Sequence, residues 1–294
     1  MDRSRRADNF GGMVSQAMKA PVTPGSQTAP LRALLREWRG LRHLSQHALA
    51  LEAKISQRHL SFIESGRAHP SRDMVLRIAD RLELPLRARN ELLAASGFAP
   101  VYPERPLDAS DMRMVRDPLD RILKHHEPYP AMVLDRFWNI VVRNRANSRI
   151  VDGLVDTASL ASRSPDGRLN FVRLMFDADG IRPHVRNWDV AGPALIARVR
   201  REANANPGSP SEALLEEFAH LAPAAVRSPD AQPLPPAVPL ELAVGGSVLR
   251  LINMLTTFGT PQDVGVQELR VEMSFPADDC TESLLREGAA GAES

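Results

Sequence analysis

The chain has 294 residues, 43% of them apolar and 25% charged, which is the make-up of a globular protein and excludes wholesale disorder or a fibrous repeat. At roughly 150 residues per domain, that length makes about two domains. No apolar run reaches the ~18 residues of a membrane span, and the start MDRSRRADNF has no apolar core behind it, so it does not read as a secretory signal. The single cysteine, Cys280, makes neither an internal disulfide nor a zinc site, and a cytoplasmic protein is expected. The net charge of +1 is unevenly spread: residues 31–100 hold 12 Lys+Arg against 7 Asp+Glu, residues 101–210 hold 17 against 14, and residues 211–294 hold 4 against 13.

In chain order, residues 1–30 are rich in Gly, Ser, Pro and Thr without sustained periodicity and are expected to form a flexible tail. From Leu31 the spacing predicts a helix, with Leu31, Leu34, Leu35 and Trp38 at i, i+3, i+4 and i+7. Ser45 opens a second helix carrying Ala48, Leu49 and Glu52. Ser56 caps a third with Leu60 and Ile63, ended by Gly66. Ser71 precedes a fourth with Met74, Val75, Ile78, Ala79 and Leu82 on one face, and after Pro85 a fifth runs to Gly97. Five short helices over residues 31–97 predict an all-α domain. Residues 98–117, beginning FAPVYPERP, are expected as a linker.

A second domain is expected over residues 118–276. Two β-branched or aromatic runs, 132–134 and 138–142, flank Asp135-Arg136 and predict a tight strand pair. Helices are predicted over about 144–151 and 169–176, in a longer stretch ending at 194–204, and over 212–221. A loop follows at PDAQPLPP, residues 229–236. Strands are predicted over 238–244, 247–258 and 267–275, with Gly245-Gly246 as the first turn between them. In the last strand Leu269, Val271, Met273 and Phe275 face one way, and Arg270, Glu272 and Ser274 the other. Residues 277–294 read as an acidic, frayed tail. The expected fold class is therefore mixed and multi-domain (α + α/β): an all-α five-helix domain, then an α+β domain with an antiparallel sheet.

The sharpest pattern is SQHALALEAKISQRHLSFIESG, residues 45–66. Small Ala50 allows two helices to cross closely, while Ile55, Leu60 and Ile63 fill the angle between them, as in a helix-turn-helix. The outward residues of the second helix are then Gln57, Arg58, Ser61 and Phe62, near the end that enters a major groove. Arg58 suits a guanine edge, Gln57 an adenine edge and Phe62 a thymine methyl. Gln46, at the first helix's N-terminus, is placed for a phosphate. His59 and Arg67 complete the expected DNA-contacting set. The expected partner is a double-stranded operator bound by a homodimer, because one short helix reads too few bases.

The string S-Q-x-x-L-A-x-x-x-x-I-S-x-x-x-L-S-x-I-E-x-G resembles the XRE-like helix-turn-helix of lambdoid phage repressors and their bacterial relatives, over about residues 31–97. Lys54 departs from that pattern, standing where the family usually has Gly. A left-handed backbone there costs a non-glycine residue about 1 kcal/mol. Residues 58–102, PYPAMVLDRFWNIVVRNRAN (128–147) and LTTFGTPQDVGVQELRVEMSFPAD (255–278) extend the likeness to regulators with a MmyB-like ligand-binding domain. The resemblance implies a PAS-like second domain, one antiparallel sheet with helices over one face, and a fatty-acid-like small molecule beneath the helices.

The residues themselves agree with an apolar pocket carrying a few polar anchors. Trp138, Ile140, Phe171, Met175, Leu251 and Leu255 are candidate lining. Arg182, His184 and Trp188 are candidate anchors, Arg182 being the best match for a carboxylate. His125-His126-Glu127 lacks the helical spacing of a zinc-hydrolase motif, no phosphate loop or nucleophile elbow is present, and Cys280 sits among acids. Neither catalysis, a metal nor a cofactor is expected, and a haem- or flavin-carrying sensor ranks third. The two leading readings are a ligand-gated transcription regulator and a DNA-tethered protein-interaction module. The second predicts an exposed apolar sheet face and no internal cavity.

Overall fold

The protein is described here by a computed structural model covering residues 30–221 and 237–290; the expected tail up to residue 29, the loop 229–236 and residues 291–294 lie outside it. The chain divides into two compact units. Among the described residues, one holds 30–105 together with Phe258–Gln267, and the other holds 106–257 and 268–290.

The first unit contains five helices: α1 (Leu31–Leu41), α2 (Gln46–Glu52), α3 (Gln57–Glu64), α4 (Arg72–Arg81) and α5 (Leu86–Ala95). Ser45, Ser56 and Ser71 cap α2, α3 and α4, each accepting from a backbone N–H in the first turn, at Ala48, His59 and Met74. Each of the five helices ends with a residue at positive φ: His43, Lys54, Gly66, Glu83 and Gly97. At Lys54 the backbone N–H bonds the Leu51 carbonyl (3.2 Å) and the next N–H, at Ile55, bonds Ala50 (2.9 Å). That pair of bonds satisfies two of the last carbonyls of α2 and fixes the turn. Leu35, Leu49, Leu60, Ile63, Ile78, Leu82, Leu92 and Leu93 close a common core and are almost fully buried.

Residues 98–105, expected within a linker, fold back on α5. The Asn90 side chain accepts from the backbone N–H of Val101 and of Tyr102 and donates to the Tyr102 carbonyl. The segment Phe258–Gln267, which lies between two strands of the second unit in sequence, is also built into this one. Its short helix α12 (Val264–Gln267) presents Gln267, whose side-chain oxygen accepts from the Leu86 backbone N–H at 2.7 Å. That bond caps α5, because its own N-cap residue, Pro85, offers no side-chain acceptor.

The second unit contains a five-stranded antiparallel sheet in the order β2-β1-β5-β4-β3, built from β1 (Ala131–Leu134), β2 (Ile140–Arg143), β3 (Leu240–Val244), β4 (Ser247–Thr256) and β5 (Arg270–Pro276). Gly245 and Gly246 both have positive φ and make the two-residue turn of the β3–β4 hairpin, where Val244 pairs with Ser247. Helices α7 (Arg145–Leu154), α8 (Thr157–Ser162), α9 (Phe171–Phe176), α10 (Trp188–Ala205) and α11 (Ser211–Phe218) contribute Ile150, Leu160, Phe176, Val199 and Phe218 to one core with Met132, Leu134, Leu242, Leu249 and Leu251 of the strands. The mixed fold expected from the sequence is the one observed.

Three local expectations are corrected. Helix α6 (Arg113–His125) begins inside the expected linker; Pro118 removes one N–H without breaking it, and buried Leu119 and Leu123 help anchor it beside β1. The end of the chain is not frayed over residues 279–290. Asp278 accepts from the Thr281 backbone N–H (2.7 Å) and starts α13 (Asp279–Ala290), which packs on β4 and β5 with Leu285 buried. Trp138 is not a strand residue. The Asp135 carboxylate accepts from the N–H groups of Phe137 and Asn139, making a turn in which Trp138 takes φ 66° and is fully buried.

Candidate DNA-reading face and ligand pocket

The capped pair α2–α3 sets the reading face. Gln57 and Arg58 are exposed on α3, His59, Ser61 and Phe62 are half-buried beside them, and Arg67 is exposed just beyond. The Arg58 guanidinium lies 5.3 Å from the centre of the Phe62 ring one turn later, which holds the pair in register on the outer face. Gln46 is half-buried and commits one N–H to Glu64 at 2.7 Å. Glu64 is the acid of the motif's I-E-x-G end, for which the spacing alone assigns no role. It is fully buried and takes a two-pronged bond from Arg39, at 2.8 and 3.1 Å. The hydrogen bond to Glu64 raises the Arg39 pKa, against the effect of burial. The ion pair ties α1 to the end of α3 and so fixes the aim of the reading helix.

In the second unit a cavity of about 360 Å³ opens between α7, α9 and α10 and the sheet. Of the nine residues expected there, Phe171, Met175 and Leu251 line it; Trp138, Ile140, Arg182, His184, Trp188 and Leu255 do not. Arg182 stacks over the Trp188 ring at 5.5 Å, and Leu255 points outward, 47% exposed. The rest of the apolar wall includes Met132, Ile150, Val151, Leu174, Ile181 and Leu195.

The polar part of the lining was missed altogether: Asn147, Arg198, Asn253, Glu272 and Ser274. Strand alternation had placed Glu272 and Ser274 on the polar side of β5, but that side faces the cavity. Glu272 is 1% exposed, with Arg198 at 3.0 Å on one oxygen and the Asn253 amide at 3.1 Å on the other. The Ser274 hydroxyl donates in turn to the Asn253 carbonyl oxygen at 2.8 Å. A neighbouring layer surrounds Trp138, whose ring has Arg198 at 4.7 Å and Arg270 at 4.3 Å and whose N–H reaches buried Ser211 at 2.9 Å. Arg270 pairs with Glu202, and Arg168 with Asp135 at 2.9 Å. Burial is the main cause that pushes the Glu202 and Asp135 pKa values up and the Arg270 value down. No cluster of three or more metal-ligating side chains occurs among the described residues.

The MmyB-like transcription regulator ligand binding domain matches residues 115–287, more than half of the chain. The chain belongs to the MmyB-like transcription regulators. A helix-turn-helix family matches residues 35–88, where α1 to α5 lie. This MmyB-like protein is thus a DNA-binding transcription regulator with a ligand-binding domain, and both matched families are domains of regulators. No match was found among curated proteins. Among solved structures, an RNA-binding light-oxygen-voltage receptor is similar at 14% identity and a TM-score of 0.27, over 97% of this chain and 67% of that one, a likeness too weak to argue from. No helix among the described residues is long and apolar enough to cross a membrane.

Proposed function

We propose that this regulator binds a specific DNA operator as a homodimer and that a small apolar, chain-like ligand in the cavity of its second unit changes its affinity for that operator. The reading is supported above all by α3: a helix held by Ser56 and by the Arg39–Glu64 pair, with Gln57, Arg58, Ser61 and Phe62 outermost. Gln46, His59 and Arg67 flank it and are assigned to the backbone or groove edge. A cavity with an apolar wall supports the fatty-acid-like class that the family resemblance implies, and it counts against a protein-interaction module, which needs no cavity.

The chain's connectivity supplies a physical route for the response. Strands β4 and β5 line the cavity through Leu251, Asn253, Glu272 and Ser274, and the residues joining them are built into the helical unit, where Gln267 caps α5. A ligand shifts the regulator only through its different affinity for the two DNA-binding states.

The test is the selection of an operator from random duplexes, followed by titration of wild type and Arg58→Ala. Losing a bidentate guanine contact costs about 1–3 kcal/mol of discrimination. Arg58→Ala is therefore expected to lose about 5- to 150-fold of its preference for operator over scrambled DNA at each half-site, with its helical content unchanged. Preserved discrimination would remove Arg58 from the reading set.

A further inference from the structure

The sheet has a second face, turned away from the cavity, and part of it is open. Pairing sets Met254 opposite Met273 and Ile252 opposite Phe275, so these four side chains share one side of β4 and β5. Asn253, Glu272 and Ser274, which line the cavity, alternate with them and point to the other side. Met254 is 55% exposed, and Ile252, Met273 and Phe275 are half-buried. Helix α6 packs beside β1, and His126, directly after it, sets its ring edge-on to Phe275 at 4.8 Å. The end of α6 therefore forms one margin of the apolar patch. A contiguous apolar patch of this kind, rimmed by charge, marks a surface that another molecule covers.

The charges at its two margins decide what that molecule is. On the β1 side the last turns of α6 expose Arg121 and Lys124, and neither is paired with a carboxylate among the described residues. On the β3 side Glu241 and Asp278 share a single cation, Arg250, at 3.2 and 3.1 Å, which leaves one negative charge uncompensated. A copy of the same surface, turned about a two-fold axis parallel to β4 and β5, brings each α6 end to the other's Glu241 and Asp278 while the apolar centres meet. Two aligned sheets pack about 10 Å apart, close to the diameter of a helix, so each α6 fits beside its partner's sheet without holding the centres apart. A polyanion or a uniformly basic partner matches only one of the two margins.

We infer that a second copy of this chain docks on the outer face of β4 and β5, with Ile252, Met254, Met273 and Phe275 at the centre and the α6 end opposite Glu241 and Asp278. The inference rests on the proposed homodimer and says where its two copies meet. The same two strands then carry the cavity wall on one side and the contact between copies on the other.

The experiment is sedimentation equilibrium of the full chain at about 10 µM, a concentration that populates a dimer of micromolar affinity. It compares wild type, Met254→Lys, Lys124→Glu, Glu241→Lys and the double variant carrying both charge reversals. Wild type is expected to be a dimer. Met254→Lys puts an unpaired charge at the centre of the contact on each copy and is expected to raise the dimer dissociation constant about 100-fold or more, with helical content unchanged. Each single charge reversal sets like charges together twice per dimer and is expected to raise it about tenfold; the double variant exchanges the charges and is expected to return to within about threefold of wild type. A dimer that survives Met254→Lys, or charge reversals that add with no rescue in the double variant, overturns the inference and leaves the homodimer standing. A wild-type chain that stays monomeric overturns the inference too, and one chain instead of two on each selected operator overturns the homodimer reading with it.

Discussion

The turn between α2 and α3 rests on one residue that the local backbone does not favour. Lys54 has φ 55° where only glycine is free of side-chain crowding, yet its N–H and that of Ile55 still close the end of α2. Lys54→Gly is accordingly expected to stabilise the helical unit by about 1 kcal/mol, seen as slower hydrogen exchange of the α2 and α3 amides. Unchanged or faster exchange would mean that the lysine side chain compensates for its backbone. The Arg39–Glu64 pair has the opposite character. Removing Arg39 leaves a fully buried carboxylate without its closest cation, so Arg39→Ala is expected to cost about 3 kcal/mol, read in urea unfolding followed by hydrogen exchange of the α1 and α3 amides. A loss under about 1 kcal/mol would show that Gln46 and Arg36, whose guanidinium lies 3.9 Å from the Glu64 carboxylate, suffice. Lys54 was legible in the sequence, because the motif fixes which position turns left-handed. Glu64 was not: its partner Arg39 lies 25 residues away, and no local spacing reports such a pairing.

At the scale of elements, helices with serine caps were legible because capping is a short-range interaction; Ser45, Ser56 and Ser71 each bond within the next turn. The strands were legible from alternation, but alternation gives only which residues share a face, not what covers that face. So Arg270, Glu272 and Ser274 read as a polar side of β5, while α10 lies over them and supplies Arg198 to Glu272 and Glu202 to Arg270. Helix α13 escaped notice for a related reason: its acidic, small residues look soluble, although Leu284, Leu285 and Thr281 anchor it to the sheet and core. The α10–β5 layer has a pH signature. Burial raises the folded pKa of Glu202 above its ordinary 4.5, so the native state holds a proton that the unfolded chain has already released. Stability from this group therefore falls as pH rises from about 4.5 through the raised value. Wild type is expected to lose stability relative to Glu202→Gln across that interval, measured by urea unfolding at several pH values. A difference between the two that does not vary with pH would contradict the shift.

For the whole molecule, the unexpected feature is the exchange of chain between the units: residues 258–267 leave the sheet after β4, cap α5 through Gln267, and return as β5. The sequence showed no sign of it, since the same residues read only as the connection between the strands predicted over 247–258 and 267–275. Under the proposed mechanism the cap transmits ligand occupancy to the DNA-binding helices. Gln267→Ala is then expected to leave the affinity for a fatty-acid-like probe, decanoate, unchanged while reducing the effect of decanoate on operator binding severalfold. An unchanged effect would place the coupling elsewhere.

The central claim is that cavity and reading face are linked, and it is tested most directly by the dissociation constant of the full chain for its selected operator, measured by fluorescence anisotropy with and without saturating decanoate. Linkage requires a change of about fivefold or more, in either direction. The same dissociation constant with and without bound ligand would contradict the account, leaving a DNA-binding protein whose cavity has no say in where it binds.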